Sequence, residues 1–421
     1  FVIEAAIAKA AEQLGIDKDV IQKNNLNKTG DEFPYGQKAE SEAHACWEEA
    51  ETLYRLDKRK AEVESFNASH ILFKKGLSVM PVCFGISFTN TAMNQARALV
   101  HVYFDGSVSV STGAVEMGQG VNTKILQVAA EVFSINPERV KVHTTNTSRI
   151  ANTSPSAASA TADLNCKATL KACLSILERL KKVAAEELAV DVSSITIEGE
   201  WVYADGERTK LDWKTLVNTA HLKRVGISEH ANYSTPVIYF DKTIEKGHPF
   251  AYHVFGTAIT VVTVDCLRGT YEFDAVKIVH DFGRSMNTSI DIGQIEGGLV
   301  QGIGWTTMEE LIYDKEGRLR SNALSTYKIP DIYSVPKQID IHALKTQNDN
   351  LAIFKSKAVG EPPLMYGIGA YFALRNAIKA FNPGADIPFS APMTAEKTLL
   401  ALYSKTAKGL NVVNKKVEIS V

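Results

Sequence analysis

The sequence predicts an α+β fold in which strands are interleaved with packed helices, and three observations carry that reading. Apolar residues recur at helical spacing near the start, strand-like runs set in from Leu77 onward, and those runs then alternate with amphipathic helical stretches. With 421 residues, 45% hydrophobic and 22% charged, the chain is long enough for two or three cores and has an ordinary globular composition.

Residues 1–69 read as helical. Val2, Ile3, Ala6, Ile7, Ala10 and Leu14 recur at helical spacing, and a highly charged second stretch covers 39–66. A boundary follows near residue 75. Beyond it, strand-like runs at 98–104 and 107–111 flank Asp105-Gly106, a hairpin signal because both residue types tolerate positive φ. Ile125, Val128, Ala129 and Val132 fall at i, i+3, i+4 and i+7, which predicts a helix after Gly120 with one buried stripe. Cys166, Leu170, Cys173, Leu177, Leu180 and Ala184 alternate spacings of three and four and predict a longer helix that buries both cysteines. Further strands are predicted at 194–197, 225–227, 255–264 and 271–279, and helices at 291–308, 365–381 and 395–403. Residues 314–317 and 204–206 read as tight turns, and the tail from Lys405 to Val421 shows no clear element.

Lys and Arg number 46 against 48 Asp and Glu, so a net charge of -2 gives no electrostatic reason to expect nucleic acid or an anionic membrane surface. A small molecule is the better class of partner. The five cysteines (Cys46, Cys83, Cys166, Cys173 and Cys266) are scattered without a C-x-x-C pair, which suggests neither a disulfide framework nor a thiolate zinc site and fits a reducing, cytoplasmic compartment. No apolar stretch approaches the roughly 20 residues of a membrane span. The start Phe-Val-Ile-Glu lacks a basic n-region, and the missing initiator methionine points to Phe1 lying inside a longer parent protein.

Four segments have the composition of a site. Gly113-Ala-Val-Glu-Met-Gly-Gln-Gly120 joins a strand to a helix start, where glycines allow close backbone approach and free N–H groups favour an anion or an electron-rich cofactor edge; it reads equally as a turn that needs positive φ. Its spacing matches neither a dinucleotide fingerprint nor a phosphate loop. Asn152-Thr-Ser-Pro-Ser-Ala-Ala-Ser-Ala-Thr161 offers small side chains and hydroxyls to a polar ring system, or else supplies a helix cap through Ser156 or Ser159. Gly293-Gln-Ile-Glu-Gly-Gly-Leu-Val-Gln-Gly-Ile-Gly304 carries five glycines at about 1 kcal/mol each relative to alanine, so another backbone packs closely on it or Gln294 points at a ligand. Lys357-Ala-Val-Gly-Glu-Pro-Pro-Leu364 places Glu361 before a proline, biased to an extended conformation; desolvation beside Val359 and Leu364 would make it a better base near neutral pH, and a surface turn is the alternative. His248 and His253 have no metal-ligand spacing and read as core or solvent residues.

In this order and at these separations, the segments resemble the molybdopterin-binding domain of the xanthine dehydrogenase and aldehyde oxidase family. The matching runs are Phe84-Gly-Ile-Ser-Phe-Thr89, Glu116-Met-Gly-Gln-Gly120 with Thr123-Lys124, Asn152-Thr-Ser-Pro155 with Ala157-Ala-Ser159, Gly293-Gln294, and Ser356-Lys-Ala-Val-Gly-Glu-Pro-Pro-Leu364. The resemblance extends from Phe1 to about Tyr403 and is closest to the xanthine dehydrogenase branch. It implies a molybdenum-cofactor-binding domain, with residues 1–75 as the helical remainder of a first subdomain and 76–421 as a second. It also implies a molybdopterin whose metal carries oxo and sulfido ligands but no direct protein ligand. Glu361 would then be the base in hydroxylation of a purine such as xanthine or hypoxanthine with water as oxygen source, an aldehyde or other N-heterocycle being the alternative substrate and an inactive structural fragment the alternative role. Met117, Gly118, Gln119, Ser159, Ala160, Thr161 and Gln294 would contact the pterin and its surroundings, Ala158 would lie against the metal, and Phe88, Thr89 and Ala157 would meet the substrate. Serine is usual where Thr161 stands, and Asn90 replaces the usual apolar residue. FAD and [2Fe-2S] modules, and the first half of the molybdenum domain, would precede Phe1 or belong to partner subunits, so the chain alone is expected to hold little metal. The parent enzyme would be a dimer.

Overall fold

A computed structural model describes residues 1–346 and 351–404. Two four-stranded sheets, each with its own helical cover, account for most of the described chain. The first runs in the order Phe73–Ile86, Tyr252–Asp265, Tyr271–His280, Ile339–Ala343, the last pair parallel and the others antiparallel. Its central strand, Tyr252–Asp265, is apolar and β-branched along most of its length and is buried at almost every position, as a strand covered on both faces must be.

One face of that sheet carries the glycine-rich helix Thr288–Thr307 and the helix Ile368–Phe381, with Val262, Ile278, Ile295, Leu299, Ile303, Tyr366 and Leu374 in a single core. The other face is covered by the helix Ala43–Leu53, whose Cys46, Trp47 and Ala50 pack on Val79, Phe255, Ile259 and Val279. The N-terminal helix Val2–Leu14 adds Ala5 and Ala8 to the first core. The segment read as helical thus folds as helices Val2–Leu14, Lys18–Asn24, Ala43–Leu53 and Leu56–Ser69 docked on this sheet.

The second sheet runs Val140–His143, Val108–Thr112, Gln95–Val102, Ser228–Ser234. Asp105 and Gly106 both take positive φ, 50° and 86°, in the predicted hairpin. The helices Val121–Phe133, Thr161–Leu188 and Trp213–Leu222 share one core with this sheet, and Cys166 and Cys173 are fully buried in it. A three-stranded sheet, Ile195–Glu198, Trp201–Ala204 and Glu207–Asp212, closes one end.

Three local expectations are corrected. Residues 225–227 are not a strand; the strand is Ser228–Ser234, and Val225 and Ile227 pack on the second core beside its start. The helix expected over 365–381 begins at Ile368, because Pro362 and Pro363 impose a 3₁₀ turn, Pro362–Gly367, ahead of it. Neither Ser156 nor Ser159 caps the long helix: its N-cap is Ala160, with no side-chain cap bond. The tail from Lys405 to Val421 lies outside the described residues.

Three of the five glycines of the helix Thr288–Thr307, Gly298, Gly302 and Gly304, serve close packing, one of the two readings expected. A Cβ on Gly298 would stand 2.8 Å from Pro363 Cβ, one on Gly302 would overlap the Leu364 carbonyl, and one on Gly367 would overlap the backbone of Gly302 and Ile303. The 3₁₀ turn therefore lies directly on the helix backbone. Gly302→Ala is expected to destabilise the protein by about 1–3 kcal/mol, the range of overpacking, in urea unfolding. Gly297→Ala, at a position where an added Cβ meets nothing within 4 Å, serves as the control and is expected to be neutral or better.

Candidate functional site

The four segments singled out by composition converge on one cavity of about 520 Å³. Met117, Gly118 and Gln119 come from the loop before the helix Val121–Phe133; Ser156, Ala157, Ser159 and Thr161 lead into the long helix; Gln294 projects from the glycine-rich helix; and the stretch from Ser356 to Glu361 closes the ring. Sequence separations of up to about 240 residues collapse here, and the Lys124–Asp291 bond ties the glycine-rich helix to the helix after the glycine loop.

Glu361 is clasped by one side chain. Ser159 Oγ donates to Glu361 Oε2 at 2.7 Å and accepts from the Glu361 N–H at 2.9 Å. This two-way bond corrects the expected backbone: Glu361 adopts φ -89°, ψ -35°, in the right-handed helical region rather than the extended one a following proline favours. The Leu364 N–H, bonded to the Glu361 carbonyl at 3.1 Å, fixes the same turn. The carboxylate is also solvent-exposed, not desolvated, although Val359 beside it is buried.

The glycine loop departs from expectation too. Its N–H groups are not free: the Glu116 carboxylate accepts from Gly118 and Gly120 N–H at 2.9 Å and from Asn122 N–H at 3.0 Å. Burial pushes the Glu116 carboxyl up, but these backbone donors outweigh it and hold it below its ordinary value. Gln119 is likewise engaged within the loop, accepting from Met117 N–H and donating to the Val115 carbonyl. Ser156 Oγ accepts from Val115 N–H at 2.8 Å and so ties this loop to the Ser/Ala segment.

Three ionisable residues in the cavity wall were given no site role in the sequence reading. Lys124 is buried and donates to Asp291 Oδ1 at 2.7 Å, while Ser285 Oγ donates to the other oxygen, joining the helix after the glycine loop to the helix that carries Gln294. Its position three after Val121 and four before Val128 puts a charge on a buried stripe, a signal available in the sequence. Lys357 is buried against Asp281, which also accepts from Thr346 Oγ1 at 2.7 Å. Asp163 accepts from the Tyr252 hydroxyl at 2.7 Å and from Ile353 N–H at 3.1 Å; burial raises its carboxyl above the ordinary range against those bonds.

The remaining expected residues lie outside the cavity lining. Ala160 is buried with Leu164, Ile86 and Tyr252 beneath the Ser/Ala segment, and Ala158 takes φ 55° in the turn above it. Phe88 and Thr89 follow the strand Phe73–Ile86 in a loop pinned by Asn94, whose side chain bonds Phe88 N–H and carbonyl, both at 2.8 Å. His253 is buried against the Tyr35 hydroxyl and His248 meets Gln37. Among the described residues no group of three or more His, Cys, Asp or Glu is arranged to hold a metal ion, and no helix is long and apolar enough to cross a membrane. The cavity instead offers an amide, hydroxyls and open backbone at Gly118, where an added Cβ would meet nothing within 4 Å. That donor set suits a heteroatom-rich ring system.

Comparison with known proteins agrees. A model of the molybdopterin cofactor-binding domain matches residues 49–336, more than half of the chain. Xanthine dehydrogenase/oxidase of Felis catus is 38% identical over 404 residues, covering 94% of this chain and 29% of that protein. Xanthine dehydrogenase 1 of Arabidopsis thaliana is 35% identical over 416 residues, covering 96% and 29%. The chain thus spans under a third of the length of these relatives. Among solved structures, quinoline 2-oxidoreductase from Pseudomonas putida 86 superposes with a TM-score of 0.81 at 22% identity, over 94% of this chain and 50% of that one. Aldehyde oxidoreductase from Desulfovibrio gigas gives 0.75 at 24% identity, over 94% and 40%.

Two buried imidazoles near the cavity make stability depend on pH. Burial lowers His280 and His253 from 6.5 to about 4. Between those values the unfolded chain binds more protons than the folded one, so stability is full above 6.5 and declines as pH falls toward 4. The urea midpoint is expected to drop over this window, and His280→Gln to make the drop shallower. Parallel pH dependences in the two proteins would remove His280 from the account.

Proposed function

Because the chain belongs to the molybdopterin cofactor-binding family, we propose that it forms part of a molybdenum hydroxylase in which Glu361 is the general base. The observation that carries this is the Ser159–Glu361 clasp at the edge of a cavity built from all four segments. Gln294, the loop Met117–Gln119 and the hydroxyls of Ser159 and Thr161 would hold the pterin. When bound, the molybdenum centre supplies two-electron oxidation with water as the oxygen source.

The protein's own contribution is placement and proton handling. Ser159 occupies Oε2 of Glu361, which leaves Oε1 without a partner among the described residues, the atom that would accept a proton. Clasping one carboxylate oxygen fixes the direction of the other, so the base is oriented before substrate arrives. Phe88 would stack on the substrate ring and Thr89 would hydrogen-bond it. A purine such as xanthine or hypoxanthine is the substrate favoured by the xanthine dehydrogenase relatives, and iron–sulfur and flavin modules would carry the electrons away.

Elemental analysis for molybdenum, with xanthine-dependent reduction of an artificial acceptor, tests the reading on the matured enzyme. Metal with turnover supports both class and substrate; metal with turnover only of aldehydes or other heterocycles keeps the class and changes the substrate; no metal in a matured protein removes the enzyme. Glu361→Gln is expected to lower kcat by about 10²-fold or more with molybdenum retained. Near-normal turnover would reject Glu361 as the base.

A further inference from the structure

We propose that Tyr252 is a positioning residue for Glu361, acting with Asp163 through a hydrogen-bond chain that ties together the two halves of the Ser159–Glu361 clasp. This rests on the reading of Glu361 as the base. The clasp joins two segments 202 residues apart, and each half must be anchored separately for the bond to hold a fixed direction.

Both anchors meet at one atom. The Tyr252 hydroxyl accepts from Ala358 N–H at 3.1 Å, three residues before Glu361, and donates to Asp163 Oδ2 at 2.7 Å, four residues after Ser159. Asp163 sits in the first turn of the long helix, where a carboxylate also interacts favourably with the helix N-terminus. Its other oxygen accepts from Ile353 N–H at 3.1 Å, fixing the chain that leads into the Glu361 turn from the far side. Tyr252 is buried at 6% exposure at the start of the central strand, paired with Ile86, so its hydroxyl is carried by a strand buried at almost every position. With both phenol valences used, no water is required to complete the chain. Tyr252 does not itself line the cavity and its hydroxyl does not touch Glu361, so its effect is exerted through two residues of the wall, the backbone at Ala358 and Asp163 at the helix start.

Tyr252→Phe keeps the ring and removes the hydroxyl. In the molybdenum-loaded enzyme, kcat is expected to fall about tenfold, the scale of one lost hydrogen bond, while KM stays within about twofold and molybdenum content is retained. Asp163→Asn should act similarly. The double variant should lose little more than the worse single one, because both act through one chain. In the crystal structure of Tyr252→Phe, Ser159 Oγ and Glu361 Oε2 should move out of hydrogen-bond distance. Unchanged kcat in Tyr252→Phe, with Glu361→Gln inactive, would overturn the positioning role and leave the base standing. Losses that multiply in the double variant, or that track molybdenum content, would reduce the pair to a structural one. Full activity in Glu361→Gln would remove the base and this role with it.

Discussion

The site depends on a contact with no side chains in it. Gly302 of the glycine-rich helix and Gly367 at the end of the 3₁₀ turn meet backbone to backbone, with Gly298 under Pro363. Removing the β-carbons lets the turn descend onto the helix, and two successive prolines keep it from extending into the following helix. Glu361 is the N-cap of that turn and Gln294 lies one helical turn before Gly298, so the contact fixes the distance between two walls of the cavity. The five glycines weaken the helix in isolation, and the surrounding core of Ile295, Leu299 and Ile303 offsets that.

Around this contact the cavity is stitched by buried polar pairs, each linking elements distant in sequence. Lys124–Asp291 holds the glycine-loop helix to the Gln294 helix, and Lys357–Asp281 holds the Glu361 turn to the end of the strand Tyr271–His280. Buried ion pairs of this kind often contribute little net stability, because desolvation cancels much of the attraction. Their satisfied hydrogen bonds instead penalise any arrangement that separates the partners, since an unpaired buried charge is costly. Glu116 does the same for the glycine loop from within, filling the N–H groups that an anion would otherwise take.

On the proposed reading, a molybdenum hydroxylase would draw from this chain a small-residue cradle, an amide and hydroxyls for a ring system, and one oriented carboxylate. Four loops and helix ends form the cavity, while neither four-stranded sheet contributes a lining residue.

The order of elements was readable from periodicity. The stripe Ile125–Val128–Ala129, the cysteine-bearing stripe of the long helix, the Asp105-Gly106 hairpin and the apolar run of the central strand each follow from local spacing, which is what local backbone geometry enforces. The four site segments were also readable, from glycine, proline and small-residue composition. What composition does not encode is which partner a polar atom takes once the chain is closed. Ser159 reads as a helix cap but bonds Glu361; the Glu361 backbone reads as extended but is held helical by that same bond; the glycine-loop N–H groups read as free but serve Glu116. Lys124, Asp163 and Lys357 acquire meaning only through Asp291, Tyr252 and Asp281, at separations of 76 to 167 residues. Local spacing sets the elements because their hydrogen bonds are local; the site is set by long-range pairs, whose energies exist only after the elements have packed.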